Sequence, residues 1–388
     1  MTERALPPWT VHHGDALTVL RALPTGSVHC CVTSPPYWGL RDYECAGQLG
    51  QERTPEEFIA TLVEVFRDMR RVLRPDGTLW LNLGDSYRAK QLLGLPWRMA
   101  FALQSDGWYL RSDIVWAKPN PIPEAGTDRP TKAHDYLFLL SASERYYYDA
   151  FAIREHVAGT AGSRGAGRGP KSRIGAKGCR NNAKFSAALV GRVFRRNKRS
   201  VWTVPTHKFH GAHFATFPPE LVQPCIRAGT SEHGVCAACG APWRREVRRT
   251  KTIDGEPVDR APPIWTVDLR APSGASGVGH GRILVYTESV GWRATCGCGA
   301  SVVPAVVLDP FAGACTTGVV ACREGRRFVG IEIKREYVEM GRQRILSETS
   351  QRALFAPLPL CEGEATPHRI EVETPQGAQL ALLEDAPR

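Results

Sequence analysis

The hydrophobic positions along the chain follow two periods that alternate. Residues 28–33 (VHCCVT) form a short, mostly apolar run that stops at Ser34-Pro35-Pro36-Tyr37, which predicts a buried strand and a sharp end. In residues 55–73 the side chains Phe58, Leu62, Val65, Phe66, Met69 and Leu73 recur at helical spacing, and Arg74-Pro75-Asp76-Gly77 predicts a stop and turn. Residues 78–83, 114–117 and 136–140 read as strands, with a helix over 96–105. After a long middle stretch the alternation resumes, with strands at 306–308 and 327–333 and helices at 316–323 and 335–346. Strands alternating with helices predict an α/β fold with a mostly parallel sheet and helices on both faces. Ligands bind beyond the carboxyl ends of such strands, and the two most unusual peptides, 34–37 and 309–313, both stand there.

Charge sets the middle apart. Residues 156–219 hold thirteen Lys/Arg and no acid, and 159–177 within them are mostly Gly, Arg, Lys, Ser and Ala, which predicts a loop. The whole chain has 50 Lys+Arg against 39 Asp+Glu, and the surplus of +11 points to a polyanionic partner. Residues 347–388 carry seven acids and three bases and read as a flexible tail. With 43% hydrophobic residues over 388, the chain is globular, in one large or two to three smaller domains. The longest weakly charged stretch, 300–322, contains Asp309 and two prolines, which excludes a membrane span there. Residues 1–10 have no apolar core, so no secretory signal is expected and the cytoplasm of a bacterial or phage-infected cell is the expected location. Twelve cysteines in that setting predict reduced thiols or metal ligands.

Three constellations carry chemistry. The prolines of Ser34-Pro35-Pro36-Tyr37 fix the backbone and leave the Ser34 and Pro35 carbonyls free to accept from a ligand. With the Ser34 hydroxyl and the Tyr37 ring they suit a planar amine; a proline turn is the plainer reading. Residues 307–318 read as a strand, a tight turn of small residues around Gly313, and a helix start, which lets a ligand approach the backbone. The turn lacks the lysine of a phosphate-binding loop and the glycine spacing of a dinucleotide fingerprint. Glu332 ends the next strand, where an acid either binds ribose hydroxyls or caps a helix. Cys236 and Cys239 have zinc-knuckle spacing, followed by Gly240; Cys296 and Cys298 form a tighter pair after 56 intervening residues. Four such thiols favour a structural Zn²⁺ over unliganded surface thiols, and its role would be to fold the insert or to support a DNA contact, not catalysis. Much of that insert, residues 244–281, is polar and basic and reads as partly flexible. His207, His210 and His213 lie in a loop-like stretch and are not read as ligands, and Cys30 and Cys31 read as core thiols.

The S-P-P-Y and D-P-F-x-G peptides together resemble an amino-group DNA methyltransferase that uses S-adenosylmethionine. Their order, with the basic segment between them, resembles the permuted β-class enzymes. His13-Gly14-Asp15-Ala16-Leu17 resembles the family's G-D-x-x peptide, whose acid meets the cofactor's adenine amine. Residues 113–121 resemble the W-x-K-x-N/P peptide that lines the base pocket. Residues 197–202 and 213–221 resemble the segment before the cofactor loop, whose H-x-A-x-F-P peptide closes over the methionine end. The resemblance spans residues 9–346 with insertions. It has one departure: the family loop reads D-P-F-x-G-S-G-T-T, and here Ala314-Cys315 replaces Ser-Gly. Cys315 puts a side chain where glycine usually lies, which brings cofactor affinity into question.

The resemblance implies a Rossmann-like methyltransferase fold with circularly permuted motif order, a basic recognition segment and a zinc-ribbon-like insert. The expected units are a catalytic half at 9–155, the recognition segment at 156–205, a return to the core at 206–230, the insert at 231–300, a cofactor half at 301–346 and the acidic tail. Ser34, Pro35, Pro36 and Tyr37 are expected to act on the base. Asp15, Asp309, Pro310, Phe311, Gly313, Thr316, Glu332, Phe217 and Pro218 are expected to hold S-adenosylmethionine. Lys118, Arg192, Arg195, Arg196, Lys198 and Arg199 are expected on DNA. The implied reaction is methyl transfer to an exocyclic amine of a base flipped out of double-stranded DNA. Serine in S-P-P-Y favours the N4 amine of cytosine within the family and aspartate the N6 amine of adenine, so adenine is the alternative. A ring-carbon cytosine enzyme would need a nucleophilic cysteine, and Pro224-Cys225-Ile226 lies outside any catalytic peptide. Two further readings stay open: an inactive zinc-containing DNA-binding protein, and an enzyme acting on RNA or protein glutamine. A cognate restriction endonuclease is a compatible partner, as are a monomer and a homodimer; no membrane is involved.

Overall fold

The computed structural model describes residues 8–156, 192–193, 195–206, 217–253, 256–257 and 283–355. The three-histidine stretch, the 159–177 loop and the tail beyond Phe355 lie outside them. The main elements are β1 (Trp9–His13), α1 (Ala16–Ala22), β2 (Val28–Thr33), α2 (Pro55–Val72), β3 (Leu73–Leu83), α3 (Leu95–Ser105), β4 (Tyr109–Ala117), β5 (His134–Ser141), β6 (Val201–Thr203), α4 (Pro219–Gly229), β7 (Arg244–Ile253), β8 (Ile283–Arg293), β9 (Val306–Asp309), α5 (Thr316–Arg323), β10 (Arg327–Glu332) and α6 (Arg335–Phe355).

Eight strands form one sheet in the order β1-β10-β9-β2-β3-β5-β4-β6. Neighbours are parallel except where β5 runs against β3 and β4. Alternation along the central strands feeds two cores. Cys30, Val32 and Trp80 pack on one face with Leu221 and Ile226 of α4 and Val319 and Val320 of α5. Cys31, Leu79 and Leu81 pack on the other with Leu20 of α1, Phe58, Leu62 and Phe66 of α2 and Met99 of α3. A strand covered on both faces must be apolar throughout, which is why residues 28–33 show no polar alternation. α2 begins where Thr54 accepts from the Glu57 N–H at 3.2 Å with Pro55 in the first turn.

Three local expectations give way. Arg74-Pro75-Asp76-Gly77 is the extended start of β3, where its register with β2 shifts between Val28 and Cys30. α2 does stop at Val72, and a side chain at Gly77 would crowd the Arg74 carbonyl at 3.0 Å and the His29 carbonyl at 3.1 Å, so the glycine serves close approach within this bulged start of the strand. Residues 244–253, expected to be partly flexible, are a strand hydrogen-bonded along its length to β8. α6 continues through Phe355 and ties back to α5 by the Glu348–Arg323 ion pair at 3.0 Å.

Candidate active site

β2 and β9 are adjacent and parallel, with Val307 opposite Cys30 and Leu308 opposite Cys31. From there the chain departs in opposite directions: β2 leads through α2 to β3, and β9 leads through α5 to β10. Such a reversal opens a crevice at the carboxyl ends of the strands. A cavity of about 1080 Å³ occupies it. Ser34, Pro35, Pro36 and Tyr37 line it from β2, and Pro310, Phe311, Gly313 and Thr316 line it from β9. Asp15, Glu332, Phe217 and Lys118 complete its walls. Peptides from the two ends of the chain thus share one chamber.

Asn82 organises the wall behind Ser34, and sequence reasoning missed it. It is buried at the end of β3; its Nδ2 donates to Ser34 Oγ at 3.3 Å and to the Tyr37 hydroxyl at 3.2 Å. Its Oδ1 is buried beside the cavity with no protein partner among the described residues. A buried unpaired carbonyl costs about 1–3 kcal/mol, so Asn82 is a strained part of this wall. The Tyr37 ring lies on Gly84, where a Cβ would come within 2.5 Å of it. Burial pushes the Tyr37 hydroxyl above its ordinary range and keeps it neutral. Lys118 turns into the cavity wall: its Nζ pairs with Asp135 Oδ2 at 2.5 Å and sits 4.6 Å above the Trp116 ring. Asp135 and Asn82 are absent from any readable motif because they converge only through strand pairing.

Across the cavity, Glu332 holds two loops together. Its Oε2 accepts from the Gly313 N–H at 2.8 Å and its Oε1 from the Lys334 N–H at 2.9 Å. Burial raises its carboxyl above the ordinary range. Asp15 caps α1 by accepting from Thr18 N and Oγ1, both at 2.8 Å, and still faces the cavity. Asp309 does not line the cavity. Its Oδ1 accepts from Thr33 Oγ1 at 2.7 Å and Phe311 N at 3.1 Å, and its Oδ2 from Thr317 Oγ1 at 2.8 Å. It therefore braces the loop against β2. Pro218 also lies outside the lining and precedes α4. Of the expected DNA contacts, Arg196 and Arg199 share Glu155 Oε1 at 2.6 Å each, Lys198 lies 4.7 Å from the Trp202 ring, and Arg195 is exposed. Arg192 enters a two-residue strand beside β8.

The family model described as DNA methylase, of N6/N4 type, matches residues 28–237 and 302–343. Type II methyltransferase M.XycI of Xanthomonas campestris pv. cyanopsidis is 37% identical over 370 residues, covering 88% of this chain and 89% of its own length. This chain belongs to that DNA methylase family. Type II methyltransferase M.Cfr9I of Citrobacter freundii is similar to the methylase at 37% identity over 368 residues, covering 87% and 88% of the two chains. The solved PvuII DNA methyltransferase (cytosine-N4-specific) shares its fold, with a TM-score of 0.51 and 16% identity over 90% of this chain and 96% of that one.

The methylase accommodates Cys315 by a local exchange of space. Cys315 takes φ 57°, the left-handed conformation that the usual glycine would adopt. Its side chain points away from the cavity toward α6, where a Cβ on Gly341 would come within 2.3 Å of Cys315 Sγ. The ligand-facing backbone is left clear. We expect Gly341→Ala to destabilise the methylase by about 2 kcal/mol through overpacking. In a Cys315→Gly background the same change should cost less than about 1 kcal/mol, because the thiol is gone. Urea unfolding of the four proteins measures the coupling, and additive effects would refute it.

Asp309 gives the methylase a pH signature. Burial lifts its carboxyl from 3.8 to about 6, against the three hydrogen bonds that pull it down. A raised carboxyl pKa contributes stability that is full below 3.8 and is lost as pH rises through about 6. The loss amounts to something on the order of 3 kcal/mol. Asparagine fits the same site, since its amide can donate to Thr317 Oγ1 while that hydroxyl donates to the Val32 carbonyl, now 3.1 Å away. Asp309→Asn should therefore fold and lose the decline in stability between pH 4 and 6. Denaturation midpoints across that range, unchanged in slope from the wild type, would contradict this.

Proposed function

We propose that this methylase transfers a methyl group from S-adenosylmethionine to the N4 amine of cytosine in duplex DNA, with the base turned out of the stack. The observation that carries the reading is the meeting of Ser34-Pro35-Pro36-Tyr37 and the Pro310–Gly313 loop in one cavity between adjacent parallel strands. The order of these halves along the chain supports a circularly permuted member of the fold.

The residues on the far wall fit an adenosyl cofactor. Gly313 and Ala314 let a ligand approach the loop backbone, Glu332 and Asp15 offer acceptors for hydroxyls and an amine, and Phe311 and Phe217 offer apolar faces. When bound, S-adenosylmethionine supplies an activated methyl group. The chain does the rest at the base. An exocyclic amine is a poor nucleophile because its lone pair is conjugated with the ring. Ser34 Oγ and the Pro35 carbonyl accept its two N–H bonds, which favours a pyramidal, nucleophilic nitrogen in the transition state. Tyr37 offers its ring for stacking. The basic stretch around Arg195–Arg199 supports contact with phosphates, with salt-sensitive affinity. The names of the Type II relatives support pairing with a restriction endonuclease.

A structural Zn²⁺ completes the reading. The Sγ atoms of Cys236, Cys239, Cys296 and Cys298 lie within 4.8 Å of one another, and tetrahedral zinc thiolate needs them about 3.8 Å apart. Gly240 at φ 70° and Gly299 at φ 64° supply the left-handed turn after each pair. The deciding experiment incubates the protein with S-adenosylmethionine and mixed-sequence duplex DNA, then digests to nucleosides for mass spectrometry. N4-methylcytosine is the expected product. N6-methyladenine would move the target to adenine, and no methylated nucleoside would overturn the reading.

A further inference from the structure

The four-cysteine cluster stands at the end of the sheet opposite the cavity. His29 and Arg74 are early residues of β2 and β3, whose far ends carry Ser34 and Asn82. Arg74 donates to the Cys239 carbonyl at 2.6 Å. His29 Nδ1 accepts from the Val306 N–H at 3.1 Å, so its Nε2 carries the proton and donates to the Gly240 carbonyl at 3.1 Å. The five residues from His29 to Ser34 separate the two sites by roughly 16 Å along an extended strand. A metal there has no access to the reacting atoms.

The cluster does have a second neighbour in the sequence. Cys236 and Cys239 come just before β7, and Cys296 and Cys298 come just after β8. One metal would therefore tie both feet of the β7–β8 hairpin together and to the core. Short local bonds also join the feet: a two-residue ladder links Val235–Cys236 to Val302–Val303, the Ala237 N–H donates to the Ser301 carbonyl at 2.9 Å, and Thr295 Oγ1 donates to the Pro242 carbonyl at 2.7 Å, while Cys239 and Cys298 are exposed. One firm root exists beside the metal site. Arg245 pairs with Asp149 at 2.9 Å and with Glu232, and its guanidinium lies 4.2 Å over the Trp292 ring.

Beyond that root β7 is basic, and its described side chains from Glu246 to Arg249 are exposed. β7 carries five Lys/Arg against one Glu in ten residues, and Arg244, Arg248 and Arg249 face solvent. The hairpin also takes Arg192–Val193 as a further strand, parallel to Leu284–Val285. That strand belongs to the stretch 156–219, which has no acid at all. The hairpin thus brings part of the basic segment onto one sheet.

We propose that β7, β8 and the Arg192–Val193 strand form an arm that grips the phosphates of duplex DNA, and that the four-cysteine metal site is the staple that fixes this arm to the core. The proposal rests on the reading of the chain as a DNA methylase that holds zinc. It separates two properties that a catalytic or whole-fold role for the metal would join. Losing the metal frees the arm and weakens DNA binding, while the cofactor cavity at the other end of the sheet keeps its ligand.

The test uses the full chain. Metal content is read by mass spectrometry, DNA affinity by fluorescence anisotropy on a random-sequence duplex pool, and cofactor-site integrity by calorimetry with S-adenosylhomocysteine. One Zn²⁺ per chain is expected in the wild type. Chelated protein and a Cys296→Ser/Cys298→Ser variant should lose the metal, bind DNA on the order of tenfold more weakly, and bind S-adenosylhomocysteine within about twofold of the wild type. Arg244→Ala/Arg249→Ala keeps the staple and should lower the salt dependence of DNA binding by about two phosphate contacts. A metal-free wild type, or stripped protein that binds DNA unchanged, overturns the staple. Joint loss of DNA and S-adenosylhomocysteine binding also overturns it, because the metal would then support the whole fold. An unchanged salt slope in the arginine variant overturns the arm. Wild-type protein that binds S-adenosylhomocysteine but no DNA overturns the methylase reading itself.

Discussion

Ser34→Ala is expected to slow methyl transfer by about 10²–10³-fold and to leave cofactor affinity within about twofold. The size follows from what the hydroxyl can do. Asn82 Nδ2 occupies one lone pair of Ser34 Oγ at 3.3 Å, and the other is free to accept from an amine in the cavity. The bond to the amine strengthens as its nitrogen turns pyramidal, so its loss falls on the transition state more than on ground-state binding. The rate constant for transfer should fall with little change in KM for DNA. Single-turnover kinetics with labelled S-adenosylmethionine measures the first quantity and calorimetry the cofactor affinity. A drop of less than about tenfold would remove Ser34 from the role of acceptor. If the cofactor affinity fell instead, the serine would be supporting the loop.

The parts of this site that could be read in the sequence are those made by contiguous residues. Ser34-Pro35-Pro36-Tyr37 and Pro310-Phe311-Ala312-Gly313 each follow a strong strand signal, and both line the cavity. α2 was legible because its cap and its apolar stripe agree. Other elements were hidden for stated reasons. α4 contains Pro224, which reads as a break, yet Leu221, Val222, Cys225 and Ile226 bury its face on the core and outweigh the lost hydrogen bond. β7 shows no apolar alternation because much of it is exposed, and its partner β8 begins 30 residues after it ends. β5 looks like any other apolar strand, and nothing in its sequence marks it as the reversed one. Asn82 and Asp135 reach the cavity from β3 and β5, which are antiparallel neighbours, so no motif spacing contains them. Asp309 shows the opposite failure. It stands inside the most diagnostic loop, but three donors turn its carboxylate inward, where it works on the fold.

Glu332 should behave unlike Asp309, although both are buried acids at strand ends. Glu332→Gln is expected to weaken binding of S-adenosylhomocysteine by roughly 100-fold, equivalent to about 3 kcal/mol. Each oxygen of Glu332 already accepts a backbone N–H, one from Gly313 and one from Lys334. An amide has only one oxygen. Its NH₂ end must face one of those donors, which leaves a buried N–H unpaired at a cost of about 1–3 kcal/mol and pushes the two loops apart. The lone pairs that remain on the carboxylate are the ones left for ligand hydroxyls, and the substitution removes half of them. At Asp309 the donor facing the new amide is a hydroxyl that can rotate. At Glu332 it is a backbone N–H that cannot. Calorimetry on Glu332→Gln and Asp309→Asn in parallel separates the two positions. Affinity within about threefold of the wild type in the Glu332 variant would mean that the cavity binds its cofactor without this acid.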